Sequence, residues 1–275
     1  MESPLGIVAG KGLLPQKLIN VCLGQKRPVV VLALHGQTEP VLVENIPHHW
    51  VNLGAVQEPI DYFRENNVHE IIFAGAIQRP SLKHLTFDKT GAKWLSKLGF
   101  KVFGDDGLLS GILELVEEEG FSVVGVQDIL GDLQVPVGTC GVHEPSPKDL
   151  EDIQRGVAAL RVLGPLDIGQ ALIVEDGVIL SVEGAEGTDG LIQRTQFLHK
   201  TDRGGVLVKL TKPRQSHRVD LPTIGPTTIQ RLKEAGLKGL AIEAKATLVL
   251  EKDKVIAALD KAGLFMVAID PEWPT

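Results

Sequence analysis

At 275 residues the chain has room for about two domains of common size and for a substantial core without disulfides or metal staples. Hydrophobic residues at 43% and charged residues at 23% exclude a wholly disordered chain, and a net charge of -7 argues against an overall basic nucleic-acid binder. Cys22 and Cys140 stand far apart and in no CxxC pattern, which speaks against a disulfide framework and fits a reducing cytosol. Met1 to Pro15 lacks a basic stretch followed by a long apolar one. No segment reaches the roughly 20 apolar residues that cross a bilayer, so any membrane contact is expected to be peripheral.

In chain order the first half alternates strand-like and helix-like pieces. Leu5–Val8 is a short apolar run ending in Gly10-Lys11-Gly12, and Pro15–Cys22 reads as a helix. Val29–Leu34 is continuously apolar, as expected of a strand covered on both faces. A short strand is expected at Val51–Leu53, a helix at Gln57–Asn66 and a strand at Glu70–Ala74. Helices at Gly91–Leu98 and Asp106–Glu119 follow, then a strand at Ser122–Val126. Repeated strand, glycine turn and helix predict an open parallel sheet, which binds ligands at the carboxyl ends of its strands.

The periodicity stops where Pro136, Gly138, Gly141, Pro145 and Pro147 crowd together, so residues 133–147 read as a linker between domains at 1–132 and 148–275. The second domain opens on a helix at Lys148–Leu163, with Ser146 as its N-cap. Ala171–Val174 and Val178–Val182 flank Glu175-Asp176-Gly177, a hairpin signal. Gly187–Phe197 reads as helix, Val206–Lys209 as strand, and Thr227–Ala235 as a helix closed by Gly236. Leu240–Glu243, Thr247–Leu250, a helix at Lys254–Ala262 and a strand at Leu264–Ile269 complete an α/β pattern.

Several stretches could carry chemistry. Gly10-Lys11-Gly12 lies where strand meets helix, so its backbone could approach a phosphate held by the helix N-terminus; it serves equally as a bare tight turn. It is neither a full GxGxxG nor a P-loop. Arg79 follows a second strand and could grip an anion with its fork, or lie on the surface before Pro80. Asp105 and Asp106 open a helix, as caps or as ribose or metal contacts. Glu183, Glu186 and Asp189 stand with Thr188 among glycines after an apolar strand, a set of hard oxygens that could hold Mg²⁺ or simply start a helix. Lys209 to Arg218 is the most basic segment, and Asp220 follows it between apolar residues, as an ion-pair partner, a metal ligand or a base. No HExxH spacing or GxSxG elbow occurs.

Five runs in order, GIVAGKGLLP (Gly6–Pro15), FAGAIQRP (Phe73–Pro80), GDDGLL (Gly104–Leu109), LDIGQALIVEDGVILSVEGAEGTD (Leu166–Asp189) and RVDLPTIGPTTI (Arg218–Ile229), resemble the UDP-2,3-diacylglucosamine pyrophosphatases of lipid A biosynthesis, in the family unrelated to metallophosphoesterases. The chain differs in small ways: GKG where GGG is common, and AIQRP where NVSRP can occur. The resemblance implies a Rossmann-like N-terminal domain with a parallel sheet and an α/β C-terminal domain. It implies Mg²⁺-dependent hydrolysis to 2,3-diacylglucosamine 1-phosphate (lipid X) and UMP, with water attacking the α-phosphorus. Asp220 matches the family's essential aspartate in DLPTIG.

Chemical reading of the matched runs places the other site residues. Gly10, Gly12, Leu13, Ile77, Arg79 and Asp105 are expected to bind substrate from the first domain. Gln170, Thr188, Lys209, Arg218 and Thr223 are expected to do so from the second, and Asp220, Glu186 and Asp189 to ligate the metal. The expected partner is a lipid-linked nucleotide sugar, met by a cytoplasmic protein in transient contact with the inner-membrane surface; nucleic acid is not expected, and a homo-oligomer is compatible. Two other readings are an NAD(P)-dependent oxidoreductase and a non-catalytic nucleotide-sugar binder. Against the oxidoreductase, no acidic residue ends the second strand, where Leu34-His35 stands.

Overall fold

The computed structural model describes residues 3–78, 85–99, 105–199, 204–213, 219, 221–270 and 272, with the backbone alone at 105, 106 and 132. The chain forms two compact units. The first runs to Gly131 and includes Val219, and the second begins at Asp132.

In the first unit, β1 (Leu5–Ala9), β2 (Val29–Leu34), β3 (His48–Val51), β4 (Glu70–Ala74) and β5 (Ser122–Val123) form a sheet of order β3-β2-β1-β4-β5. Every neighbouring pair is parallel. Parallel neighbours need crossover connections: α1 (Leu13–Gly24) joins β1 to β2, a 3-10 turn at Pro40–Leu42 lies between β2 and β3, α2 (Gln57–Glu65) joins β3 to β4, α3 (Lys89–Leu98) and α4 (Asp105–Glu118) lie between β4 and β5, and the short α5 (Val126–Ile129) follows β5. Alternate residues of β2 face opposite layers. Val30, Leu32 and Leu34 pack with Ile60 and Phe63 of α2, Trp94 of α3 and Leu113 of α4. On α1, Leu18, Ile19 and Cys22 are buried. The strand order reverses between β1 and β4, which makes this a Rossmann-like sheet with its switch point at their carboxyl ends.

Two strands differ from expectation. β3 pairs through His48–Val51 rather than Val51–Leu53, because the ladder starts directly after Pro47, whose carbonyl accepts Val31 N–H at 2.9 Å. A half-buried edge strand does not need an apolar run, and the chain turns away at Asn52. β5 stops at Val123. Gly125 then opens α5, and Asp128 reaches back to accept Gly125 N–H at 2.8 Å.

In the second unit, β6 (Gly138–Cys140), β7 (Ala171–Glu175), β8 (Val178–Val182), β9 (Val206–Lys209), β11 (Gly239–Glu243) and β13 (Phe265–Ile269) form a mixed sheet of order β6-β13-β11-β9-β7-β8. β9, β11 and β13 are parallel; β6, β7 and β8 run against their neighbours. Within the stretch read as a linker, Gly138–Cys140 is thus an edge strand. Strand alternation again sets two layers. Leu172, Val174, Val206 and Val208 face Ile153, Val157 and Leu160 of α6 (Pro147–Leu163). Ile173, Leu207, Leu240 and Ile242 face α7 (Gly187–Thr195), α8 (Pro226–Glu234) and α9 (Lys252–Ala262). β10 (Thr223–Ile224) and β12 (Leu248–Val249) form a separate parallel pair. Among the described residues, no helix is long and apolar enough to cross a membrane.

Candidate functional site

In the first unit the loops after β1 and β4 are tied together. Gly10 N–H donates to Ala74 O at 2.7 Å, and Lys11 and Ala76 exchange backbone bonds of 2.8 and 3.0 Å. A Cβ on Gly10 would lie 2.6 Å from Ala76 O, and one on Gly75 would lie 2.5 Å from Lys11 O. These glycines let two backbones touch. Gly12 is different: it precedes α1 at φ 96, and a Cβ there would meet nothing within 4 Å. No side chain caps the start of α1, and unpaired N–H groups at a helix start are the kind an anion can satisfy.

The loop after β2 joins this edge. Thr38 donates to Ala9 O at 2.5 Å and accepts Leu34 N–H at 2.7 Å. Gln37 and Gln78 bond side chain to backbone in both directions, and Lys11 Nζ reaches Gln78 Oε1 at 3.2 Å. An open groove of about 560 Å³ is lined by Lys11, His35, Gln37, Thr38 and Trp50 among others. The His35 and Trp50 rings stack with centroids 5.2 Å apart. Gly10, Gly12, Leu13 and Ile77 thus share one sheet edge, with Leu13 and Ile77 leaving apolar side chains exposed. His35, Gln37, Trp50 and Gln78 belong to the same edge and were not singled out from sequence. Their signal in the sequence is position alone: Trp50 sits in β3, and the others lie in the loops after β2 and β4.

In the second unit a buried polar chain lies where β7 begins and β9 ends, at the register pair Ala171 and Lys209. Lys209 is 3% exposed. Its Nζ donates to Thr188 Oγ1 at 2.7 Å, and the Thr188 hydroxyl donates to Glu183 Oε1 at 2.6 Å. Glu183 Oε2 accepts Gln170 N–H at 2.8 Å. Gln170 Oε1 and Thr211 Oγ1 are buried with no hydrogen-bond partner among the described residues. Thr211 N–H is held by Glu243 Oε2 at 2.8 Å, at the end of β11. Gln170, through its backbone, Thr188 and Lys209 therefore meet in one hydrogen-bonded chain. Glu183 links them.

The other expected residues lie apart from this chain or beyond description. Glu186 accepts a fork from Arg194 at 2.9 and 3.0 Å, and Gly184 N–H at 3.2 Å. Its own backbone N–H, against the effect of burial, together with Arg194 and Gly184, holds its carboxyl below the usual carboxylate range. Asp189 faces Arg231 at 3.5 Å. Among the described residues no group of three or more His, Cys, Asp or Glu is placed to hold a metal ion. As they stand, Glu186 and Asp189 are arginine partners and do not fit as a preformed pair of metal ligands. Thr223 donates to Leu221 O at 3.0 Å and lies in β10. Arg79, Arg218 and Asp220, and the side chain of Asp105, lie outside the described residues.

The two units correspond to two family matches. Residues 4–133 match the LpxI N-terminal domain and residues 136–267 the LpxI C-terminal domain. The UDP-2,3-diacylglucosamine pyrophosphatase LpxI of Caulobacter vibrioides is 38% identical, with 98% of each chain covered. Among solved structures, the biotin carboxylase domain of the Hydrogenobacter thermophilus 2-oxoglutarate carboxylase is similar at a TM-score of 0.28 and 14% identity, covering 70% of this chain and 40% of that one. The N5-carboxyaminoimidazole synthase from Aspergillus clavatus follows at 0.24 and 10%, covering 72% and 44%. With both domain types matched in order along nearly its whole length, the chain belongs to the LpxI family.

Proposed function

We propose that this chain hydrolyses UDP-2,3-diacylglucosamine to lipid X and UMP, a step of lipid A biosynthesis, with water attacking the α-phosphorus. The observation that carries the reading is the likeness, across both domains, to the Caulobacter enzyme of that name. The P–O bond from the α-phosphorus to the bridging oxygen breaks. The β-phosphate leaves on the sugar, and the water oxygen enters UMP.

The geometry supports this chemistry. A pyrophosphate is a polyanion, and Lys209 offers a buried cation at the carboxyl end of β9. Removed from water, such a charge acts more strongly on developing phosphate charge. The uncapped N-terminus of α1 beside Gly12 suits the UDP or phosphosugar part, together with Ile77 and Arg79. Asp220 would serve as the base for the attacking water or as a metal ligand. Mg²⁺ is part of the proposal: it commonly binds through one or two carboxylates plus substrate phosphates and water. It would supply charge neutralisation and a more acidic bound water. Transient contact with the cytoplasmic face of the inner membrane follows from the lipid substrate.

The test is incubation with UDP-2,3-diacylglucosamine and Mg²⁺ in ¹⁸O-water. Label in UMP is expected; label in lipid X would move the attack to the β-phosphorus. Excess EDTA should stop UMP release and added Mg²⁺ restore it. Folded Asp220→Ala protein should lose at least about 10²-fold in kcat; near-normal turnover would remove Asp220 from the mechanism.

A further inference from the structure

Glu183 stands one residue past β8, with 5% of its surface exposed, and its carboxylate answers two donors at once. The direction of the chain it ends is fixed. An ammonium has only donors, so Lys209 donates to Thr188 Oγ1. The hydroxyl's single proton then goes to Glu183 Oε1. The second oxygen accepts Gln170 N–H, directly before β7. The segment before β7 and the first turn of α7 are therefore tied to one carboxylate, and Thr188 extends that tie to Lys209 on β9.

We propose that Glu183 is a positioning residue for the hydrolysis inferred above, on which this proposal rests. Through Thr188 it holds the Lys209 ammonium where it offsets the charge of the nucleotide-sugar pyrophosphate. Thr188 is then part of the support for Lys209, its hydroxyl proton being committed to Glu183. The carboxylate is needed for its two acceptor oxygens. An amide at this position keeps one and turns the other into a donor facing an N–H or a hydroxyl.

The experiment compares wild type, Glu183→Gln, Thr188→Val, Thr188→Ser and the Glu183→Gln/Thr188→Val double variant, by kcat, KM and melting temperature on UDP-2,3-diacylglucosamine. Misplacing a group by about 1 Å can cost about 10²-fold in rate. Glu183→Gln and Thr188→Val should each lower kcat by about that factor with little change in KM. Thr188→Ser should recover part of what Thr188→Val loses. Because the residues act as a unit, the double variant should lose no more than the worse single one. Wild-type kcat in folded Glu183→Gln, or fully multiplicative losses, would overturn the proposal. So would equal kcat in Thr188→Val and Thr188→Ser, a comparison that stands if Glu183→Gln does not fold. If wild type itself releases no UMP, the functional reading fails and takes this one with it; wild-type UMP release with no loss in any variant overturns the positioning role alone.

Discussion

Asp88 shows how much one carboxylate can organise. It caps α3 by accepting Gly91 N–H at 2.6 Å, and it also accepts Val56 and Gln57 N–H at 2.8 Å, where α2 begins. Burial alone would raise its pKa, but the N–H groups of Gly91, Val56, Gln57 and Thr90 outweigh burial and hold it below the ordinary value. A carboxyl lowered on folding contributes stability above its unfolded pKa, about 4, and that stability is lost as pH falls through the lower folded value. Asp88→Ala is expected to cost about 1–3 kcal/mol at pH 7. Its deficit against wild type should shrink between about pH 5 and pH 2, as read by urea midpoints across that range; a deficit independent of pH would refute the account. Single residues were the least legible level in the sequence. Lys209 is legible because it opens the most basic segment of the chain. Glu183 stands in VEGAEGTD as one of three acids that nothing in the sequence ranks; only the end of β8 buries the first of them and leaves Glu186 to Arg194.

Helix α6 carries two tests of packing against local preference. Its start is ordinary capping: Ser146 Oγ accepts Asp149 N–H at 3.3 Å and Asp149 accepts Ser146 N–H at 2.9 Å. Further along, Gly156 sits so close to the sheet that a Cβ would lie 2.6 Å from Val208 Cγ2 and 3.1 Å from Leu172 Cδ1. Helix propensity favours alanine by about 1 kcal/mol, while overpacking a filled core costs about 1–3 kcal/mol. Val208 is fully buried, so the overlap should win and Gly156→Ala should lower the melting temperature; a rise would show that α6 can shift outward. On the same helix, buried Asp152 accepts Asp176 and Gly177 N–H at 3.1 and 2.6 Å, clamping the β7–β8 turn, where both residues take positive φ. Asp152→Ala is expected to cost about 2–3 kcal/mol by unfolding, because it leaves two donors of a strained turn without their acceptor. A loss below that of Gly177→Ala, about 1–2 kcal/mol for a left-handed alanine, would refute the clamp. The sequence made the central strands plain, since Val29–Leu34, Glu70–Ala74 and Val206–Lys209 are apolar runs bounded by turns. It hid β3 and β6, because an edge strand satisfies one ladder and need not be apolar, and Gly138–Cys140 lies among prolines and glycines.

At the scale of the molecule, a residue from far along the chain packs against the first core. Val219 packs with the cluster built by β2, α2, α3 and α4, while residues on from Leu221 belong to the second unit. Val219→Ala should destabilise the first unit by about 0.5–1.5 kcal/mol, the range for a modest loss of packed methyl groups. Amide exchange should quicken in β1 and β2 and stay unchanged in β9 and β11; equal effects on both sheets would contradict the assignment. This return of the chain was not legible in the sequence, where Val219 is one apolar residue between charged ones. It also bears on inheritance. By sequence, Val219 lies within the stretch 136–267 that defines the C-terminal family domain, yet in space it completes the N-terminal one. A gene cut between the two family domains would not yield two whole modules. One product would lack a side chain that packs against its core, and the other would carry that side chain with no core to pack on. Recombination that exchanged either half for a stranger's would have to replace the fit around Val219 as well, so the two domains are bound to travel, and to diverge, together.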